Sequence, residues 1–382
     1  MEKIYTALGL MSGTSMDGVD ASIIKSDGYS QFSNILDKYY EFDDKLREKL
    51  IKLRDQISTK NDLNSFSNEL NDLEREITIF HSNIVSNILS NYKEDVDLVG
   101  FHGQTIFHSS KHKISKQLGN GKLLSQLIKK KVVYDFRSAD LKNGGQGAPL
   151  TPIFHNLLVN KIYKKHKIEF PVNVLNIGGI SNITKTIKES DLYKNDIEAR
   201  DIGPGNFLID EWIRKNSNKK FDKDGLIGKS GKINKLILNQ AIENFNITYL
   251  DKSIDVKDFN ISFLRGLSFE DGCATITNFT AYLIAEGIKL FNTKNKNDIC
   301  NHLICGGGRK NLFLIENIKR YLNDFDNLKF DSTDLYNING DYVESQAFGY
   351  LAIRSFLRLP ITFPQTTGCK KPSCGGVIIE NY

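Results

Sequence analysis

Twice in this chain an apolar run stops at a turn of glycine and serine and then starts again. The first run is Lys3–Met11, the turn is Ser12-Gly13-Thr14-Ser15-Met16-Asp17-Gly18, and the second run is Val19–Lys25. Far downstream, Val172–Ile177 leads into Gly178-Gly179-Ile180-Ser181-Asn182 and then Ile183–Ile187. Strands flanking a turn of this composition read as a hairpin. Its repetition predicts two domains of related topology, which suits 382 residues at roughly 100–200 per domain. Between Asp43 and Tyr92, Leu63, Phe66, Leu70, Leu73, Ile77 and Phe80 recur at threes and fours, the spacing of one helix face. Further helices are predicted over Pro152–Lys164, through most of Gly205–Phe291, from Asn311 to Leu322 and over Val343–Leu357. Strands are predicted over Asp97–Phe107, Lys131–Tyr134 and His302–Cys305. The mixture predicts an α/β architecture. The expected division puts residues 1–134 and 344–382 in a first lobe and residues 135–343 in a second.

Composition narrows the function classes. The chain is 40% hydrophobic and 25% charged, enough apolar material for two cores and too much for a disordered chain. No run approaches the ~18 apolar residues of a spanning helix. The opening Met1–Thr6 lacks the apolar stretch of a secretory signal. Five cysteines spread along the chain do not make a disulfide framework, so a cytoplasmic setting is expected. Against 51 basic residues stand 46 acidic ones. The lysines are scattered apart from Lys129-Lys130-Lys131, not gathered into the basic face of a nucleic-acid binder. A solvated surface is expected, with neither nucleic acid nor membrane as partner.

Several short segments carry donors or carboxylates where a ligand could use them. In Ser12-Gly13-Thr14-Ser15-Met16-Asp17-Gly18-Val19-Asp20, small residues let backbone approach an anion, and successive N–H groups can form an anion-binding concavity. The Walker spacing is absent, and Asp17-Gly18 alone would also suit an ordinary hairpin turn. Gly178-Gly179 and Gly306-Gly307-Gly308 follow apolar strands in the same way, the latter just before a helix whose N-terminus could meet a phosphate. Each alone is equally a glycine turn; three together suggest a nucleotide. In Arg200-Asp201-Ile202-Gly203-Pro204-Gly205-Asn206, a rigid Gly-Pro-Gly turn would present Asp201 as a general base, or Asp201 would cap the following helix. His102, Gln104, His108, Asp135, Arg137, Asp140 and Glu344 are polar residues a sugar site could use, although each alone is as readily structural. His102 and His108 form no zinc pattern, and Cys369-x4-Cys374 lacks further ligands.

Taken in order, Met11–Asp20, Phe101-His102-Gly103-Gln104-Thr105, Asp135-Phe136-Arg137, Gly144-Gly145-Gln146-Gly147-Ala148-Pro149-Leu150, Asn176-Ile177-Gly178-Gly179, Asp201–Asn206 and Cys305–Gly308 resemble the signatures of anhydro-N-acetylmuramic acid kinases. The resemblance implies the two-lobed, ribonuclease H-like fold of sugar kinases, actin and the Hsp70 ATPase domain, with ATP in the interlobe cleft. It implies hydrolytic opening of 1,6-anhydro-N-acetylmuramic acid with phosphorylation to N-acetylmuramic acid 6-phosphate, in peptidoglycan recycling. By the same resemblance Asp201 is the base. Gly13, Thr14, Ser15, Met16, Asp17, Gly18, Val19, Asp20, Gly178, Gly179, Gly306, Gly307, Gly308 and Asn311 hold ATP with Mg2+. Ser12, His102, Gln104, Arg137, Gly203, Gly205 and Glu344 face the sugar. Members are commonly dimers, so a homodimer is implied, while the magnesium ligands stay unassigned because Met11-Ser12-Gly13-Thr14 lacks the aspartate many sugar kinases place there. Ser138-Ala139 and Lys252-Ser253-Ile254-Asp255 also depart from relatives. The alternatives are a kinase of the same superfold for another amino sugar and, from a different class, a nucleotide-switched chaperone or filament protein.

Overall fold

The computed structural model describes residues 3–188, 197–245, 254, 259–292, 301–325 and 328–380. The chain forms two compact units, residues 1–158 with 342–382, and residues 159–341. The expected boundary at residue 135 thus falls inside the first unit. The reason is local: Phe136 packs on Phe348, and the carboxylate of Asp140 accepts from Thr367 in the C-terminal segment. Of Lys252–Asp255, only Ile254 lies within the described residues.

The first unit begins with three antiparallel strands, β1 (Tyr5–Ser12), β2 (Gly18–Ser26) and β3 (Phe32–Glu41). On the other side of β1 lie β4 (Leu98–Ser109), parallel to β1, and then β6 (Lys131–Tyr134), parallel to β4. A short β5 (Ile114–Leu118) folds back on β4, and the C-terminal strand Val377–Ile379 closes the edge beside β6. Strands covered on both faces read as continuous apolar runs, as the largely buried β1 and β4 do. The edge strand β3 buries no residue fully and is half-exposed along its length. One face is covered by the helix Ser67–Asn91, which buries Leu70, Leu73, Ile77, Ile84, Val85 and Ile88 on a single stripe.

The second unit repeats this plan. β7 (Val172–Ile177), β8 (Ile180–Thr186) and β9 (Ile197–Pro204) form the antiparallel meander, and β10 (Asn301–Cys305) and β11 (Lys329–Ser332) add in parallel beyond β7. The orders β3-β2-β1-β4-β6 and β9-β8-β7-β10-β11 are the same ribonuclease H-like arrangement, as the repeated turn predicts. Strands β3, β5, β9, β11 and the C-terminal strand are additional to the sequence expectation.

In each unit one helix lies with its backbone directly on the sheet, and glycine makes this fit. Gly9 of β1 and Gly100 of β4 are register partners. A Cβ on Gly9 would stand 2.0 Å from the Ser345 carbonyl, and one on Gly100 2.3 Å from that of Phe348, both on the helix Val343–Phe356. In the second unit, Gly287 of the helix Phe269–Phe291 would meet the Ile202 carbonyl of β9 at 2.1 Å. Because backbone is the obstacle at all three, no rotamer change relieves it. Gly9→Ala and Gly287→Ala are each expected to destabilise by about 1–3 kcal/mol or more, read as a lower urea midpoint; an unchanged midpoint would contradict this packing.

Candidate active site

The turn after β1 is held from below by one buried amide. The Ser12 hydroxyl lies 2.6 Å from Gln104 Oε1 and 2.9 Å from the Gly18 carbonyl. Gln104 Nε2 donates to the Gly13 carbonyl at 3.0 Å, which also receives the Met16 N–H. Met16 is buried with φ +53°, a left-handed turn residue in an otherwise small-residue loop. Ser15 donates to Asp17 Oδ1 at 2.7 Å. Tyr39 Oη donates to the Asp17 carbonyl. Beside Gly13 there is room: a Cβ there would touch nothing nearer than the Ser15 hydroxyl at 3.7 Å.

Gln104 reaches this position because β4 bulges. Leu10 pairs with Phe101 but Ser12 with Gln104, so β4 carries one extra residue, with Gly103 at φ +71°. Bulges re-aim side chains and recur near active sites. His102 sits at this bulge, its ring centroid 4.5 Å from that of Phe348 with the two planes tilted by 43°. Its Nδ1 lies 2.8 Å from the Gly103 carbonyl and must donate, so Nε2 accepts from Arg137 Nη2 at 3.0 Å. Burial and the adjacent guanidinium hold His102 well below its ordinary pKa. It is neutral, in one tautomer. Arg137 Nη1 donates to the Gly147 carbonyl at 2.7 Å, joining the Gly-Gly-Gln-Gly stretch to the bulge. Glu344 is half-buried in the first turn of the helix Val343–Phe356.

The second unit offers a matching set. Gly205, Asn206 and Phe207 donate backbone N–H groups to the carbonyls of Gly178 and Gly179, fastening the β7–β8 turn to the end of β9. Asp201 is on β9 itself, not on a terminal turn. Ser181 pairs with Gly203 and Asn182 with Asp201, so Ile202 is the extra residue of a second bulge. Asp201 is 7% exposed, and its Oδ2 accepts from the Ile254 N–H at 3.1 Å. It does not cap the next helix, whose N-cap is Asn206. Gly306, at φ +79°, would place a Cβ 2.5 Å from Asn176 Oδ1, and Gly308 one 2.2 Å from Ile177. Those two glycines are required by packing, as is Gly205 against the Gly178 carbonyl at 2.1 Å. Gly178 and Gly307 are not: their nearest obstacles are 3.5 and 3.6 Å away. Arg309 braces the turn by donating to the Gly306 carbonyl, Asp334 and Asp341.

The sequence profile of the anhydro-N-acetylmuramic acid kinase family matches residues 5–381. The chain belongs to the anhydro-N-acetylmuramic acid kinase family. It is 53% identical over the full length of both chains to a relative of that name from Pelagibacter ubique strain HTCC1062. It is 35% identical, over 98% of the chain and 99% of the relative, to another from Rhodopseudomonas palustris strain BisB18. Among solved structures it is similar to an activator of 2-hydroxyisocaproyl-CoA dehydratase from Clostridium difficile with bound ADPNP (12% identity, 92% and 96% covered, TM-score 0.42). It is also similar to a ROK family glucokinase from Streptomyces griseus in complex with glucose and AMPPNP (11% identity, 91% and 99% covered, TM-score 0.40).

Against that family reading, several expected site residues turn inward. Ser12 and Gln104 brace the first turn, and both ring nitrogens of His102 bond to protein atoms. Asn311 caps the helix Leu312–Tyr321 by accepting from the Leu314 N–H at 2.9 Å. Gly203 lies 3.4 Å, measured from its Cβ position, from the Ile284 backbone, and Asp201 shares that strand. Asp140, Arg309 and Asp334 also shape the site: Asp140 is one of the polar candidates of the sequence and Arg309 follows its Gly306-Gly307-Gly308 turn, whereas Asp334 lies in no motif. Among the described residues no three histidine, cysteine or carboxylate groups gather as a metal site, and no helix is long and apolar enough to cross a membrane.

His102 belongs to a wider pattern. Burial lowers His81 and His108 to about 4, and His155 and His302 to about 3. In the unfolded chain these histidines take up protons near pH 6.5, which the folded chain refuses. Their stabilising effect is complete above pH 6.5 and is lost as pH falls toward their folded values. Each differential proton is worth about 1.4 kcal/mol per pH unit. The urea midpoint is expected to fall between pH 6.5 and 5 with a slope of more than one proton; a flat midpoint there would contradict the neutral, buried assignment.

Proposed function

We propose that the chain phosphorylates 1,6-anhydro-N-acetylmuramic acid with ATP while adding water across the anhydro bridge, giving N-acetylmuramic acid 6-phosphate and ADP in cell-wall recycling. One observation carries most of this reading. Gly13, Gly178 and Gly307 stand at strand ends in a duplicated fold, and nothing among the described residues requires them to lack a side chain. The missing volume is that of a ligand lying against backbone, and in a kinase family the ligand is a nucleotide.

In this reading the Gly13–Asp20 turn takes the phosphates of ATP, with the hydroxyls of Thr14 and Ser15 as further donors. Gly178-Gly179 and Gly306–Gly308 help hold the nucleotide. The hard oxygen donors of Asp17 and Asp20 suit magnesium, which would enter with the triphosphate as it does in other kinase sites. Asp201 is the base. Buried on a bulge and fixed by the Ile254 N–H, its carboxylate takes a proton from a water molecule as that water bonds to the anomeric carbon. The bond from that carbon to the bridge oxygen breaks with its electron pair on oxygen. That oxygen then bonds to the γ-phosphorus as the bond to ADP breaks. The protein's part in such a transfer is positioning and electrostatics. Arg137 and Glu344 contact the sugar, and His102 and Gln104 hold their surroundings.

The test is ADP release measured with the anhydro sugar, with N-acetylmuramic acid and with glucose. Turnover is expected with the anhydro sugar alone, and equal turnover on an ordinary amino sugar would favour the alternative substrate. Asp201→Asn is expected to lower kcat by about 10²–10⁴, and near-normal turnover would remove Asp201 from its role. Gly178→Ala and Gly307→Ala should keep the wild-type unfolding midpoint yet raise the KM for ATP about tenfold, a loss of about 1.4 kcal/mol of binding. An unaltered KM for ATP would assign those openings to something else.

A further inference from the structure

The Gly-Gly-Gln-Gly stretch has no secondary structure of its own after residue 142, yet every turn of it is tied down. Two of the ties come from the C-terminal segment: Gln146 N–H donates to the Thr367 carbonyl at 2.8 Å, and Lys370 N–H to that of Asn143 at 3.0 Å. A third comes from Lys113, whose Nζ reaches the carbonyls of Gly144 and Gly145. The centre is Asp140, 1% exposed. Its Oδ1 accepts from the Thr367 hydroxyl at 2.7 Å and its Oδ2 from the Gly147 N–H at 2.8 Å. Gly145 must be glycine here, because a Cβ would lie 2.1 Å from Asp140 Oδ2.

Gly147 is the hinge of this arrangement. Its N–H is held by Asp140, while its carbonyl receives Arg137 Nη1 at 2.7 Å. Its φ of +76° is a conformation other residues rarely adopt, and a Cβ would stand 2.9 Å from Leu141. From Thr367 the hydrogen bonds therefore run through Asp140, Gly147, Arg137 and His102 to the Gly103 carbonyl at the β4 bulge. Gln104, next along, holds the Gly13 carbonyl of the first turn. A buried carboxylate is a poor device for stability alone, since apolar packing of the same volume commonly does as well. What it offers instead is direction, because each oxygen fixes one donor.

We propose that Thr367 and Asp140 form a latch through which the C-terminal segment positions Arg137 for the sugar. The inference rests on the reading of Arg137 as a sugar contact. Both are positioning residues, acting through Gly147, so loosening them weakens sugar binding more than chemistry or nucleotide binding. Thr367→Val keeps the shape and removes the donor; Thr367→Ser restores the donor. Asp140→Asn keeps the shape and removes the charge.

Steady-state ADP release, varying sugar and ATP separately, is measured beside urea unfolding for the wild type and all three variants. Thr367→Val is expected to raise the KM for the anhydro sugar about tenfold, the size of one lost hydrogen bond to a charged group. Its kcat and KM for ATP should stay within about twofold, and Thr367→Ser should return the sugar KM to near the wild-type value. Asp140→Asn should shift the sugar KM in the same direction and keeps the test open if Thr367→Val does not fold. A wild-type sugar KM in either variant overturns the latch. So does a parallel rise of both KM values that tracks lost stability and that Thr367→Ser does not rescue. A wild-type chain inactive on the anhydro sugar would instead sink the kinase reading, so the two failures are told apart.

Discussion

A turn of glycine, serine and threonine has little reason to keep one shape, and here the side chain of Gln104 gives it one. Its carboxamide reaches the Ser12 hydroxyl and the Gly13 carbonyl, 92 and 91 residues away in sequence. A buried amide left without partners costs about 1–3 kcal/mol, so the turn and the β4 bulge that delivers Gln104 hold each other in place. The second unit solves the same problem with main chain, through the N–H groups of Gly205, Asn206 and Phe207 on the Gly178 and Gly179 carbonyls.

The two units share more than strand order. Each has a meander whose first two strands are joined by an open glycine turn, a bulge beside it, and a helix resting on the sheet where glycine removes the side-chain layer. In the first unit the helix carries Glu344 in its first turn. In the second it lies against Ile202, next to Asp201. Side chains packed through bare backbone cannot drift far, since overpacking there is costly. The rigidity that fixes a base and a turn is therefore the same close packing that gives each unit its core.

How much of this the sequence disclosed varies with the kind of interaction. The hairpins β1–β2 and β7–β8 were legible because their apolar runs and glycine turns are local signals. Strand β9 was not: Ile197–Pro204 mixes charges, and Gly203-Pro204 reads as a turn although a proline at a strand end costs the ladder nothing. Strand β3 hides behind Asn34, Asp37 and Lys38, as a half-exposed edge strand can. The first boundary was placed too early because Asp135-Phe136-Arg137 precedes a glycine-rich stretch. Only the fold reveals that Arg137 and Asp140 bond back to His102 and Thr367. Likewise His102 and Gln104 stand out in the sequence as polar residues of a loop, but which way they face is a tertiary fact.

The idea on which all of this turns is that the open glycines mark where a nucleotide lies. Amide-resolved NMR of the full chain, titrated with a non-hydrolysable ATP analogue and magnesium, tests it most directly. The amides of Gly13, Thr14, Ser15, Gly178 and Gly307 should shift together and saturate at one concentration, while those of Gly9 and Gly100 under the helix stay near their free positions. Saturable binding that leaves Gly13–Ser15 and Gly178 unmoved would contradict it.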